Sequence, residues 1–357
     1  MIGVYIHIPF CNSICSYCDF AKVYYNKKYI DKYLTSLEDE IKLRYKNEVI
    51  KSIYIGGGTP SSLDYNELKR LLEITKIFNK DNDIEFTIEC NVESVSVDKL
   101  KLFKKYGINR LSIGVESFDK DIINILNRSH TKEEAIEKIK LCKKYFDNIN
   151  IDLMYGITGD INKVKKDIDI FLSLDITHLS IYSLIIEDNT MLKINNYKNI
   201  DEDIEYYMYN YIENKLRDYH HYEISNYAKA GYESIHNLNY WNNGNYYGFG
   251  LSSVSYLNNY RITNTRNLNK YINGNYLDNK IYEDKKINMD NKIMLGLRKI
   301  DGINILDFNN EFDVNIFDIY NIYPLINDGC LKLDNNYLYI DHKYIYLSNE
   351  ILIKILY

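Results

Sequence analysis

No stretch of the 357-residue chain stays apolar for the roughly 18 residues that a membrane-crossing helix needs. Nothing in it is expected to span a bilayer. The opening residues, MIGVYIHIPF, lack the charged segment and apolar core of a secretory leader, so none is expected. Basic runs are missing too. The 44 Lys and Arg are outweighed by 50 Asp and Glu, for a net charge of −6. That balance argues against nucleic acid as a partner and against polybasic contact with a membrane surface, so membrane contact is expected only through a partner. Proline is scarce (3) while tyrosine is abundant (37). With the excess of Ile, Asn and Lys, this reads as codon drift in an AT-rich genome and carries no functional weight. The 6 cysteines, half of them in one cluster, do not have the layout of a secreted disulfide framework. A cytoplasmic protein is expected. No internal repeat is visible. At 46% hydrophobic and 26% charged, the chain can build a substantial core and a smaller appended domain.

Short apolar runs alternate with amphipathic helical patterns. The strand candidates are VYIHI (4–8), SIYIGG (52–57), EFTIEC (85–90), RLSIGV (110–115), NINIDLMYG (148–156) and HLSIYSL (178–184). Several are apolar on both faces or nearly so, as buried parallel strands tend to be. Between them, Ala135, Ile139, Cys142 and Phe146 step along one helical face. Thr131 with Glu134, and Asp64 with Glu67, have capping-box spacing. Six strands, each followed by a helix, predict a parallel α/β architecture, either a doubly wound sheet or an open or closed barrel. In each of these, ligands sit at the C-terminal ends of strands. The polar and Gly-rich residues do fall there: CNSICSYC after the first run, GGGTP after the second, Glu89 to Asn91 after the third, Glu116 after the fourth, Asp152 to Gly156 after the fifth. Beyond about residue 225 the pattern changes. HNLNYWNNGNYYGFGLSS (236–253) is rich in Gly, Asn and aromatics. NMDNKIMLGLRKI and CLKLDNNYLYIDHKYIYLS predict a small helix-plus-hairpin domain, winged-helix-like. The expected division is 1–225, a connecting segment over 226–287, and 288–357.

Three thiols, Cys11, Cys15 and Cys18, lie within eight residues, and the next cysteine is Cys90. Thiolates so spaced bind soft metals. Zinc is one reading, with His7 as a fourth ligand, although His7 lies in an apparent strand. A [4Fe–4S] cluster is another. Three thiolates leave one iron open to a chelating ligand, and the missing fourth thiol makes that room.

YIHIPFCNSICSYCDF resembles the signature of radical S-adenosylmethionine (SAM) proteins, with CxxxCxxC and an aromatic before the last cysteine. GGGTPS (56–61), GINRLSIGVESF (107–118) and NIDLMYG (150–156) extend the resemblance, which reaches the coproporphyrinogen-dehydrogenase-like branch of that superfamily and covers essentially the whole chain. The resemblance implies a partial (β/α)6 barrel. It also implies that SAM chelates the open iron and that one electron breaks a sulfur–carbon bond. Residue by residue, it implies that Cys11, Cys15 and Cys18 ligate iron and that Tyr5 and Tyr17 flank cluster and cofactor. Gly57, Gly58 and Thr59 would let backbone approach SAM, with exposed N–H groups for its carboxylate. Glu89 would meet the ammonium or ribose, Asp152 the ribose, and Arg128 would make a polar contact. Glu116 stands where the family usually has Gln, and ionised Glu only accepts hydrogen bonds. NVES, and Thr158-Gly159 in place of Leu-Pro, also depart from the pattern.

Two functions compete within that branch. One is oxygen-independent coproporphyrinogen III dehydrogenase, which decarboxylates two propionates. The other is a heme chaperone, which binds heme and delivers it to acceptor proteins. The chaperone is expected for three reasons. Phe20 occupies the position of a further cysteine in the dehydrogenases, the motif begins at Tyr5 without their long preceding extension, and HNLNYW (236–241) matches the chaperones' HNxxYW. His236 is then a candidate heme ligand, with Tyr240 and Trp241 as faces for the porphyrin. A lone histidine is as readily one satisfied within a loop. His220 and His221 are assigned to solvent. No catalytic residue is assigned, and an electron donor is needed only if SAM is cleaved. A tailoring enzyme such as a methyltransferase would need further thiols or a substrate domain. Cys90, Cys142 and Cys330 are scattered, so that class is not expected.

Overall fold

A computed structural model describes residues 1–357. Its main sheet has 12 strands. Six are the predicted ones: β1 (Ile2–Ile8), β2 (Ile50–Gly57), β3 (Lys80–Asn91), β4 (Arg110–Glu116), β5 (Asn148–Tyr155) and β6 (His178–Ser183). They pair in parallel in chain order. The helices that return the chain between them include α1 (Lys27–Arg44), α2 (Tyr65–Ile74), α3 (Val97–Lys105), α4 (Lys132–Lys143) and α5 (Ile161–Ser173), and α6 (Glu202–Lys215) follows β6. Both predicted capping boxes form, Asp64 with Glu67 on α2 and Thr131 with Glu134 on α4. Each satisfies two otherwise orphaned N–H groups where a helix starts.

The segment 226–287, expected to connect two units, supplies five strands to the same sheet. After β7 (His220–Glu223) come β8 (Asn226–Ala228), β9 (Asn245–Phe249), β10 (Val254–Leu257), β11 (Tyr260–Asn264) and β12 (Leu277–Tyr282). The β7–β8 pair edges the sheet beside β6. β9 runs parallel to β1 on its other side, and β10 to β12 continue that edge as an antiparallel meander. The ladder is therefore open, from β12 to β7. Buried Glu40 on α1 docks this edge. It accepts hydrogen bonds from Asn264 (2.6 Å), Tyr271 (2.6 Å) and the N–H of Gly250 (2.9 Å), beside Arg44.

The two faces of the parallel strands differ. Ile53, Ile55, Ile88, Leu111, Ile113, Ile149, Ile151, Leu179 and Ile181 belong to one core cluster of 55 buried residues shared with the helices. Their alternates are polar: Ser52, Tyr54, Thr87, Glu89, Arg110, Ser112, Asn150, Asp152, His178 and Ser180. Several of these strands were expected to be apolar on both faces or nearly so. Part of the polar face is held by hydrogen bonds across strands, while Thr87 Oγ1 and Arg110 Nε are buried without a partner. Asn150 donates to Ser112 (2.8 Å), and His178 bridges Asn150 (2.6 Å) and Tyr222 (2.7 Å).

A second core of 18 residues lies wholly between Met289 and Ile355. It is built from helix Lys285–Gly296, shorter helices, a three-stranded antiparallel sheet that includes the hairpin Leu331–Asp334/Tyr337–Ile340, and the last helix Ser348–Leu356. No helix is long and apolar enough to cross a membrane.

Candidate functional site

Two cavities open over the polar face of the sheet and share a wall made by Phe20, Tyr54, Gly57 and Glu89. The smaller, of about 390 Å³, gathers the residues that sequence reasoning singled out. Cys11, Cys15, Cys18, Tyr17, Gly57, Gly58, Thr59, Glu89, Glu116, Arg128 and Asp152 all line it. These residues come from the C-terminal ends of β1 to β5 and from the loops that follow, where a parallel sheet places its ligands. Tyr5 is apart. It lines the larger cavity and shares its hydroxyl hydrogen with His7 Nδ1 (3.0 Å).

All three cysteines of the cluster are free thiols. Cys11 accepts from the Thr59 hydroxyl (3.8 Å), and Arg128 donates to Cys15 Sγ (3.3 Å). Burial pushes the Cys11 thiol up to about 12. A soft cation is what would hold three such thiolates together without water. His7 is not a fourth ligand. Its Nε2 bonds the Ala21 carbonyl (2.7 Å) and its Nδ1 the Tyr5 hydroxyl, which uses both ring nitrogens and ends the zinc reading with Cys3His. Gly58 belongs to the same cradle: a Cβ there would lie 2.9 Å from Cys11 Sγ and 2.7 Å from the Pro9 backbone. Three convergent thiols, a backbone that leaves room beside them and an adjoining polar chamber fit a [4Fe–4S] cluster with an open iron.

The glycine loop corrects one expectation. Its N–H groups are not free for a carboxylate. Gly57 donates to Glu89 Oε2 (3.0 Å), Gly58 to the Ile8 carbonyl (2.8 Å) and Thr59 to the Phe10 carbonyl (2.9 Å). Glycine at 57 is required by its φ of +117°, and by the His7 ring, 2.6 Å from where a Cβ would sit.

Three carboxylates face the smaller cavity. Burial, then the charge of Asp152, pushes the Glu89 carboxyl up to about 7. Burial does the same to Glu116, against the pull of Arg128. Asp152 is raised by burial despite hydrogen bonds from Asn150 (2.8 Å) and Tyr182 (3.0 Å). Three acids in one chamber outnumber the single guanidinium, Arg128, that lines it, and a cationic ligand supplies the remaining counter-charge. SAM is such a ligand, with a sulfonium and an ammonium. Glu116 is aimed inward by a register shift between Gly114 and Glu116 that leaves it at φ +66°, a strained conformation for a non-glycine residue. Burial raises the Glu116 carboxyl and so favours its protonated form, which can donate as the family's usual Gln does.

Sequence reasoning missed several members of this site. Arg128 also donates to Asn91 (3.2 Å) and to the Gly114 carbonyl, and Asn91 donates to Thr59 (3.1 Å). Tyr54, Ser112 and Tyr182 line the chamber from within strands. The available signal was a polar residue at every second position of an otherwise apolar strand.

The larger cavity, of about 630 Å³, is faced by Tyr5, Tyr54, His236, Tyr240 and Tyr246, with Arg261 and Arg266 at its margin. His236 sits on helix α7 (Ile235–Trp241), whose N-terminus is capped by Glu85 through the N–H groups of Ile235 and His236 (2.9 Å each). Its ring stacks on Tyr54 (5.3 Å between centroids). Nδ1 meets the Ser52 hydroxyl (2.9 Å) and Nε2 that of Tyr240 (2.9 Å). Burial, with Arg110 nearby, lowers its pKa to about 3, so the ring is neutral. Trp241 is not brought to this cavity; it packs under the Arg298 guanidinium, 6.0 Å from the ring centroid.

The radical SAM superfamily model matches residues 5–168, and the HemN C-terminal domain model matches 285–343. The chain is 38% identical to the heme chaperone HemW of Bacillus subtilis over 285 residues, covering 76% of this chain and 75% of that one. It is 33% identical to the Escherichia coli heme chaperone HemW over 295 residues, covering 78% of each. The chain belongs to the HemW family of radical SAM proteins. The solved Escherichia coli coproporphyrinogen III oxidase, HemN, a radical SAM enzyme, matches with a TM-score of 0.86 at 20% identity, covering 99% of this chain and 89% of that one. That likeness is one of fold. Membership of the superfamily implies a [4Fe–4S] cluster and SAM, and the smaller cavity fits both.

Proposed function

We propose that this protein is a cytoplasmic heme carrier. It holds heme in the larger cavity, beside a cluster- and SAM-holding chamber, and passes the heme to acceptor proteins. The observation that carries the reading is the shared wall: Tyr54, Gly57, Glu89 and Phe20 face both cavities, so an occupant of one touches the surface that bounds the other. A heme is a flat apolar macrocycle with two carboxylates. The tyrosine faces suit the first and the marginal arginines the second.

Cys11, Cys15 and Cys18 would hold the cluster; Glu89, Glu116, Asp152, Arg128 and the Gly57–Thr59 loop would surround SAM. When bound, the cluster supplies an electron and SAM a cleavable sulfur–carbon bond. Glu89 orients the loop through the Gly57 N–H, and Arg128 offsets negative charge beside Cys15. His236 is the proposed heme contact. To reach iron, its Nε2 must give up the Tyr240 hydroxyl while Ser52 keeps Nδ1 in place. His236→Ala should therefore weaken heme affinity at least about tenfold, the lower end of what losing even a partner that orients a metal ligand costs, with the thermal midpoint checked to confirm a folded variant. Unchanged affinity in a folded variant would remove His236 from the heme site.

A further inference from the structure

At the far edge of the sheet, the last turn of α6, the edge strand β7 and the C-terminal unit meet. We propose that Glu213, His221 and His342 form a divalent-cation site there, zinc being the ion it fits, which ties the C-terminal unit to the main sheet. The three residues come from these three elements. Their candidate ligand atoms nevertheless lie within 4.8 Å of one another. Glu213 Oε2 is 2.9 Å from His342 Nε2, and Glu213 Oε1 is 3.2 Å from His221 Nδ1.

His221 carries the argument. It was expected in solvent, yet it is only 8% exposed and its ring lies flat on Tyr227, 4.2 Å away at 12°. Neither of its ring nitrogens has a properly directed hydrogen bond. A buried imidazole without partners is costly. A cation at the carboxylate would use the nitrogen that faces Glu213. Glu213 is itself held, by the Tyr227 hydroxyl that donates to Oε1. Ligating carboxylates are usually oriented in this way.

Two imidazoles and one carboxylate suit zinc, with a fourth position left for water. Bonds of about 2.0–2.2 Å place tetrahedral ligand atoms about 3.4 Å apart. Each histidine lies about that far from one of the two Glu213 oxygens, and one ligand atom from each residue stays within 4.8 Å of the others, so the trio must draw together by no more than about 1.4 Å along any edge. A cavity of about 750 Å³ opens beside the trio, lined by Tyr209, Asp341 and Lys343 among others, and gives an ion and its water access. The site would join contacts that already link the same elements. Ile224 donates to the Arg298 carbonyl (3.0 Å), Ile300 to that of Tyr222 (3.2 Å), and Tyr346 packs on Tyr206 and Tyr209. The competing account is an ion pair between Glu213 and protonated histidines, which needs no metal.

The test is zinc titration of the full chain with its cluster reconstituted, so that Cys11, Cys15 and Cys18 are occupied. Calorimetry and the thermal midpoint would be followed, and cobalt(II) would serve as an absorbing substitute. One zinc per chain is expected, with a raised midpoint and a cobalt spectrum free of thiolate charge transfer. His342 is 60% exposed, so His342→Ala leaves packing intact. That variant should bind zinc at least about tenfold more weakly and lose the rise in midpoint. His221→Gln should behave alike, and a chain lacking all three cluster cysteines should keep the site. Absence of zinc binding in the wild-type chain, or equal binding by wild type and His342→Ala, would overturn the proposal.

Discussion

Replacing any one of Cys11, Cys15 and Cys18 by alanine removes iron and sulfide from the anaerobically reconstituted protein together. The three thiols converge on one chamber, and both His7 nitrogens are taken; Cys142 is buried in the apolar core away from the chamber, and Cys90, which borders the chamber, is held in that core at 2% exposure. Two thiolates cannot retain a cubane that already lacks a fourth protein ligand. The loss should be nearly complete, not graded, and near-equal for the three positions. Iron and acid-labile sulfide assays with the absorbance of the cluster read it directly. A variant that keeps its full iron and sulfide would exclude that cysteine as a ligand. Stability of the apo chain should change little at Cys15 and Cys18, which are only partly buried.

Glu89→Gln should make the apo protein more stable and SAM binding weaker. The Glu89 carboxyl is held near 7 against a usual 4.5, chiefly by burial and then by Asp152. The folded state thus binds its proton more tightly than the unfolded chain does. That contribution is fully present below about pH 4.5 and is lost as pH rises through 7. Over this window the shift corresponds to about 3 kcal/mol at most. Glutamine is neutral throughout and can still accept from Gly57. Above pH 7 the apo variant should exceed the native protein by about 1–2 kcal/mol, a rise of a few degrees in Tm, while near pH 4 the two should coincide. SAM affinity should fall about 10- to 100-fold, the usual worth of a hydrogen bond to a charged group. A variant that is less stable at pH 8, or that binds SAM as well as the native chain, would contradict the electrostatic account of the chamber.

Much of this was legible in the sequence because its causes are local. Strand-length apolar runs, capping boxes at 64–67 and 131–134, and polar residues just after strands all reappear in the structure. What was hidden depends on distant pairing. Asn245–Phe249 lies beside Ile2–Ile8, more than 230 residues away, and nothing in its Gly- and Asn-rich surroundings announces a parallel strand. The N–H groups of Gly57, Gly58 and Thr59 looked free because their acceptors, Glu89, Ile8 and Phe10, come from other strands or loops. His221 looked solvated because Tyr227, which covers it, becomes its neighbour only when β7 and β8 pair. The polar inner face was written in plain view, as every second residue of the strands. It reads as noise until a cavity gives those residues a common side.

The most direct measurement is an anaerobic heme titration of the cluster-reconstituted protein, followed by absorbance. Saturation near one heme per chain, with no consumption of coproporphyrinogen III in a parallel assay, is the predicted result. No heme binding, together with turnover of coproporphyrinogen, would contradict the carrier reading and make the chain an enzyme of porphyrin synthesis.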